Sequence, residues 1–204
     1  MRLSTISLVF CAAFVGSNLA RAQTPPSVSP PLAPATSANR KPDPKKSEID
    51  GLLDALKSAP SDEAAASLET RVRQKWIEAG SPAATLLMRK GLRNLQGQSG
   101  DDALGDFDAA LVLEPNLQAA LTFRARAKYL TGDYLGALKD TQAALEREPR
   151  NFVALQGLSQ IAEQRGDLKG ALQAWQKLLE IDPKTPDAEK RLRELNRKVN
   201  GETT

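Results

Sequence analysis

Three prolines, Pro115, Pro149 and Pro183, stand 34 residues apart, and several other columns of the chain keep the same interval. Leu87, Leu121 and Leu155 share it, as do Ala103, Ala137 and Ala171, then Leu104, Leu138 and Leu172, then Leu111, Leu145 and Leu179. With proline at about 5% of residues, two further prolines at set offsets are roughly a 1-in-400 coincidence before the other columns are counted. Such a period means stacked copies of one supersecondary unit, none of which can bury its apolar face alone. Within each unit the apolar spacing is helical. Pro60, Pro82, Pro115, Pro149, Pro183 and Pro186 fall where that periodicity stops or restarts.

The small residues carry the next step. Gly91, Ala125 and Ser159 occupy one site in the first helix of each unit, and Ala103, Ala137 and Ala171 one site in the second. Helices approach to about 8 Å only where small side chains meet, which is why these columns stay small. Phe107 and Trp175 supply a large aromatic beside the next unit, with Thr141 as the middle unit's departure. Gly132 and Gly166 close the first helix of the second and third units, whereas the first has Gln98 there and Gly100 two residues later, so a looser turn is expected.

With these residues, positions 84 to 183 resemble the tetratricopeptide repeat family, over about half of the precursor. The resemblance implies an all-α fold, a right-handed α-solenoid of three 34-residue helix-turn-helix repeats at 82–183, with units 84–117, 118–151 and 152–185 in the family register. Family members usually carry a large aliphatic where this chain has Lys90 and Arg124, while the third repeat keeps Leu158. A buried unpaired charge would be costly, so Arg124 is expected to lay its stem on the core and take its head to an acidic neighbour or to solvent. Trp76 and Trp175 sit on apolar helical stripes and read as packing residues.

The flanks complete the array. Ser47 with Asp50 predicts a capping pair opening an N-terminal helical hairpin at 47–81, with Ile49, Leu52, Leu53 and Leu56 on one face of its first helix and Leu68, Val72, Trp76 and Ala79 along its second. Thr185 and Pro186 predict the start of a capping helix within 184–200, with Ala188, Leu192, Leu195 and Val199 apolar on one side and charges elsewhere, followed by a disordered tail at 201–204. Nine helices are expected in all.

Ahead of the hairpin lie two segments of other kinds. Residues 1–22 have the parts of a secretory signal: Arg2, an apolar stretch from Ile6 to about Leu19, and small Ala20 and Ala22. Cleavage after Ala22 would leave no integral membrane segment and a periplasmic or secreted protein. Residues 23–46 are expected to be a Pro-rich disordered linker; seven of the thirteen prolines lie between Thr24 and Lys46, and a 23-residue polyproline II stretch would reach roughly 70 Å. The order of leader, spacer, Trp-bearing hairpin, three repeats and charged final helix resembles short exported bacterial tetratricopeptide proteins.

Composition removes most chemistry. The only cysteine is Cys11, inside the leader, and there is no histidine. Disulfides, thiolate or imidazole metal sites, cysteine nucleophiles and every arrangement with a histidine base are therefore excluded from the mature chain. No Gly-rich phosphate loop occurs, and no cofactor is implied. Loss of Arg2 and Arg21 with the leader takes the formal charge from +3 to about +1, and the charges alternate along helices, so nucleic acid is not an expected partner. Asp101, Asp102 and Asp106 could serve a carboxylate-based enzyme or ligand carrier, but acids are favoured at a helix start in any case.

Stacked repeats curve, and the first helix of each unit lines the inner surface. The resemblance implies a non-catalytic scaffold or adaptor of the bacterial cell envelope, holding a protein or peptide partner in that concave groove; self-association through exposed repeat faces is the alternative. The family's contact positions map to Thr85, Met88, Leu92, Leu95 and Gln96, to Ala119, Thr122, Arg126, Tyr129 and Leu130, and to Val153, Gln156, Gln160, Glu163 and Gln164. Members that clamp a partner's terminal carboxylates use Lys and Asn at positions held here by Met88, Leu92, Thr122, Arg126, Gln156 and Gln160, so that clamp is not expected. Interfaces favour Met, Tyr and Arg, which makes Met88, Leu92, Leu95, Arg126, Tyr129, Gln156 and Gln160 the candidate binding residues; the alternative for Met88 and Leu92 is that they touch the upstream hairpin, which could occupy that end of the groove.

Overall fold

The computed structural model describes residues 44–201, so the leader, most of the proline-rich segment and the last three residues lie outside the described residues. Nine helices follow in order among the described residues: α1 (Pro44–Lys57), α2 (Asp62–Ile77), α3 (Pro82–Gln96), α4 (Gly100–Leu113), α5 (Gln118–Leu130), α6 (Tyr134–Arg147), α7 (Phe152–Gln164), α8 (Leu168–Ile181) and α9 (Ala188–Asn200). The pairs α3/α4, α5/α6 and α7/α8 are the three repeats, each stacked on the next.

Their boundaries follow from cap chemistry. Ser81 accepts a hydrogen bond from the Ala84 amide (3.3 Å) with Pro82 at the first helical position, and Asn151 accepts from Ala154 (3.0 Å). Asp133 and Asp167 cap α6 and α8 by accepting from Gly136 and Gly170, each at 2.9 Å. Two predicted boundaries shift. The first helix begins at Pro44 rather than at Ser47, because proline already fits a first turn. The last begins at Ala188 rather than at Thr185, because Asp187 takes a left-handed φ of 58° that breaks any earlier start.

The turn of the first repeat corrects a further expectation. Gln98 adopts φ 60°, the same left-handed region as Gly132 (87°) and Gly166 (78°). The closing bond is preserved as well: Ser99 N–H donates to Asn94 (2.9 Å), as Asp133 does to Lys128 (2.8 Å) and Asp167 to Ala162 (2.9 Å). The turn is therefore no looser than its equivalents; glutamine accepts the backbone strain that glycine avoids.

Small residues set the packing. A Cβ added at Gly91 would lie 2.6 Å from Phe107 Cε1, so the glycine is where α4's ring meets α3. Phe107 is wholly buried and stacks on Phe123 across the repeat boundary, with ring centroids 6.2 Å apart. In the last repeat Trp175 donates from Nε1 to the Ala188 carbonyl (3.2 Å), tying α9 to the array. Leu195 is the fully buried anchor of that helix. Each such side chain contributes about 1.5–3 kcal/mol on burial.

A polar layer also runs through the first two repeats. Lys90 and Asn94 each donate to Asp106 at 2.7 Å. One repeat later Arg124 grips Asp140 with two bonds of 2.7 Å while Lys128 lies 2.8 Å from the same carboxylate. The third repeat puts Leu158, Ala162 and Ala174 at the equivalent places. Arg124 thus finds its acidic neighbour, and a second in Asp108 of the preceding repeat at 2.7 Å. Burial raises the Asp140 carboxyl, but the bonds from Arg124 and Lys128 outweigh it and hold the group below its ordinary range.

The N-terminal hairpin does not continue the stack. Instead α2 packs on α3 and α5, and α1 packs on α8, so the pair lies along the edge formed by the turns between repeats. From the first repeat, Thr85 donates to the Ile77 carbonyl (3.4 Å) and Ser81 N–H donates to Glu114 (2.6 Å). At the second turn Trp76 meets Phe152 with centroids 5.2 Å apart, Arg73 lies over the same ring at 5.2 Å, and Arg150 pairs with Asp50 and, at 2.8 Å, with Asp54. Near the third turn Lys184 lies 3.7 Å from Asp62. Leu53, Leu56, Ala65 and Val72, each 1% exposed or less, seal the hairpin into the common core.

Candidate partner-binding groove

The inner wall is built from α3, α5 and α7, and its two ends differ. Around the first repeat, Met88 is wholly buried and is part of the core. It offers no surface to a partner, so of the two expectations for this side chain the buried one holds, at the end of the array where α2 packs on α3. Leu92 and Leu95 are half-buried and also pack against the core. In the second repeat Ala119 and Thr122 are buried too, at 1% and 5% exposure. Asn151 donates to Thr122 (2.9 Å) and Gln118 (2.5 Å) beneath the hairpin.

Beyond Thr122 the groove opens. Arg126, Tyr129, Gln156 and Gln160 line one cavity of about 480 Å³, floored by Ala125, Ala154 and Gly157. Four of the seven candidate residues thus meet in one place; Met88, Leu92 and Leu95 do not. Arg126 is exposed and has no ion pair or hydrogen bond among the described residues. Tyr129 is half-buried and tilts against Tyr134, centroids 5.4 Å apart, which fixes its ring at the rim. Leu130, 60% exposed, extends the apolar edge outward.

The far wall comes from a residue that the repeat pattern had not singled out. Arg191 of α9 lines the cavity and pairs with Glu163, which Lys198 also contacts. Burial raises Glu163, and the bonds from Lys198 and Arg191 more than reverse it, leaving the carboxyl below its usual value. No repeat position leads to Arg191, because α9 lies outside the period. The seven-residue spacing of Arg191 and Lys198 on one helical face is the only trace of a shared acid partner.

The cavity suits an extended segment: amides of Gln156 and Gln160 for backbone groups, an aromatic edge for an apolar side chain, and one uncommitted guanidinium. The acids considered for catalysis lie elsewhere. Asp106 is engaged by Lys90 and Asn94, and Asp101 and Asp102 are exposed in the first turn of α4. Among the described residues no cluster of three or more His, Cys, Asp or Glu could hold a metal ion, and no helix is long and apolar enough to cross a membrane.

A TPR repeat-containing protein of Rhizobium etli is 29% identical over 89 residues, which make up 44% of this chain and 44% of that relative's length. The first TPR of Spaghetti (RPAP3), solved bound to the HSP90 peptide SRMEEVD, superposes with a TM-score of 0.57 at 20% identity, covering 59% of this chain and 96% of that one. The fold is that of the tetratricopeptide repeat proteins. The Yersinia enterocolitica type III secretion chaperone SycD, in complex with a peptide of the translocator YopD, gives a TM-score of 0.53 at 16% identity over 60% of this chain and 98% of its own. No family model matches the chain. In tetratricopeptide terms, the open cavity is the concave face of the second and third repeats, and the covered part is that of the first.

Proposed function

We propose that this chain is a non-catalytic protein-interaction module of the bacterial cell envelope that holds an extended peptide segment of a partner in the groove of its second and third repeats. The observation that carries the reading is the unpaired Arg126 beside Tyr129, Gln156 and Gln160 in a cavity whose other charges are already satisfied. Peptide complexes of RPAP3 and SycD, which share the fold, support it. The leader at 1–22 supports export, and the absence of thiol and imidazole from the mature chain leaves little catalytic chemistry to set against binding. Arg126 favours an acidic residue in the peptide, and the Tyr129–Leu130 rim favours an apolar one beside it.

The test selects peptides from a displayed random library on the mature chain, then measures the selected sequences against Arg126→Ala and Tyr129→Ala. Truncating a true anchor costs about 2 kcal/mol or more, roughly a thirtyfold loss of affinity, with helicity and melting unchanged. Full affinity in the double variant would place recognition off this groove.

A further inference from the structure

We propose that the contact between α2 and the last turn of the array is a proton-dependent latch, which holds the hairpin against the third repeat while the buried Asp182 carboxyl keeps its proton and loosens when that proton leaves. Each repeat ends in an acid: Glu114, Glu148 and Asp182 stand 34 residues apart. The first two side chains have donors, the Ser81 amide at 2.6 Å and the Arg150 amide at 3.0 Å. Asp182 is wholly buried, and among the described residues neither of its carboxylate oxygens meets a hydrogen-bond donor. Its own N–H donates to Leu178 (2.9 Å) and its carbonyl accepts from Thr185 (3.3 Å), so neither of its own backbone groups serves the side chain.

What Asp182 faces is another acid. Glu69 of α2 is 6% exposed and lies beside it, held from its other side by Arg73. Two adjacent carboxylates out of water are costly to hold, whereas a proton on Asp182 removes one charge and lets its O–H donate toward Glu69. The remaining charges of this corner are Asp62 and Glu63 at the start of α2, Lys184 in the turn, and Asp187, Glu189 and Lys190 at the start of α9. Lys184 is drawn to Asp62 at 3.7 Å. Burial first, and then the Glu69 carboxylate, push Asp182 up to about 7, with the Lys184 amide and the Arg73 guanidinium pulling only partly back.

The sign follows by linkage. With the hairpin closed Asp182 keeps its proton to about pH 7; with the hairpin open it faces water and releases it near the usual value of about 4. Between those limits the closed state binds the extra proton, so opening becomes easier as pH rises, by up to about tenfold per unit, and levels off above the closed-state value. Opening would uncover Phe152, on which Trp76 and Arg73 lie, with the parts of α3 and α5 that α2 packs on, and so lengthen the groove. That consequence rests on the binding reading above; the latch itself does not.

Hydrogen exchange of the mature chain without any partner tests it, with the protection of α2 amides taken relative to α6 amides at each pH so that the intrinsic rate cancels. The expected result is a ratio that falls severalfold to tenfold per unit between about pH 5 and 7 in the parent and stays flat in Asp182→Asn. Glu69→Gln, which removes the like-charged neighbour and frees Arg73 to act on Asp182, should move the fall to lower pH and serves if Asp182→Asn does not fold. A flat ratio in the parent, or an equal slope in all three proteins, overturns the latch. Peptide affinity unaffected by the hairpin's state would instead remove the link to the groove and leave the latch standing.

Discussion

The third repeat contains its own replacement for the polar layer of the second, and grafting it tests how that layer contributes. Asp140→Ala leaves Arg124 and Lys128 facing each other, with side chains only 21% and 23% exposed. Breaking a buried ion pair by deleting one partner costs about 3–5 kcal/mol. Arg124 keeps Asp108 at 2.7 Å and reaches some solvent, so a loss of about 2–3 kcal/mol is expected here. The triple change Arg124→Leu, Lys128→Ala and Asp140→Ala copies Leu158, Ala162 and Ala174, and abandons the charges together. It should return to within about 1 kcal/mol of the parent, because a well-packed apolar set replaces a buried pair at little cost. Asp108, 59% exposed, is then left to water. Urea melts followed by circular dichroism separate the two: at a slope of about 1–3 kcal/mol/M, the single variant shifts its midpoint by roughly 1 M or more. A triple variant no more stable than Asp140→Ala would show that the layer does more than neutralise itself.

Two glycines of the first repeat should respond with opposite signs. Gly91→Ala places a Cβ 2.6 Å from the immobile Phe107 ring and should destabilise by about 1 kcal/mol, overpacking of about 1–3 kcal/mol exceeding the helix-propensity gain of about 1. Gly105→Ala, with nothing within 4 Å, should stabilise by about 0.5–1 kcal/mol; thermal melts of both decide, and equal signs would mean that the α3/α4 crossing is misread. For export, the intact mass of the secreted chain should correspond to cleavage after Ala22, and a product retaining Cys11 would refute the leader reading.

The period made the repeats legible because every repeat meets the same neighbour in the same way. The small columns, the aromatic column and the odd cations at Lys90 and Arg124 all pointed to contacts within one or two units. Met88 stayed between groove and core for the complementary reason. Its register position says nothing of the N-terminal hairpin, whose partners lie far along the chain without any period: Arg150 finds Asp50 of α1 from 100 residues away. The same blindness hid Arg191 and the Glu69–Asp182 pair, since one-off contacts leave no column to compare. Gln98 shows the reverse error, where a residue preference was taken for a geometric limit and the surrounding hydrogen bonds imposed the glycine conformation anyway.

The hairpin along the edge also counts. Over its sixteen residues, about 24 Å, α2 runs from Asp62 and Glu69 at the third turn, through Trp76 on Phe152 at the second, to Ile77 at Thr85 of the first repeat. An open solenoid can gain or lose a unit by duplication with only local effect, because each unit touches just its neighbours. Here an inserted unit would carry the last turn out of reach of Glu69, and a deleted one would leave α1 without α8 to pack on. The helix therefore acts as a ruler, and repeat number, ordinarily the most variable property of such arrays, becomes part of the fold.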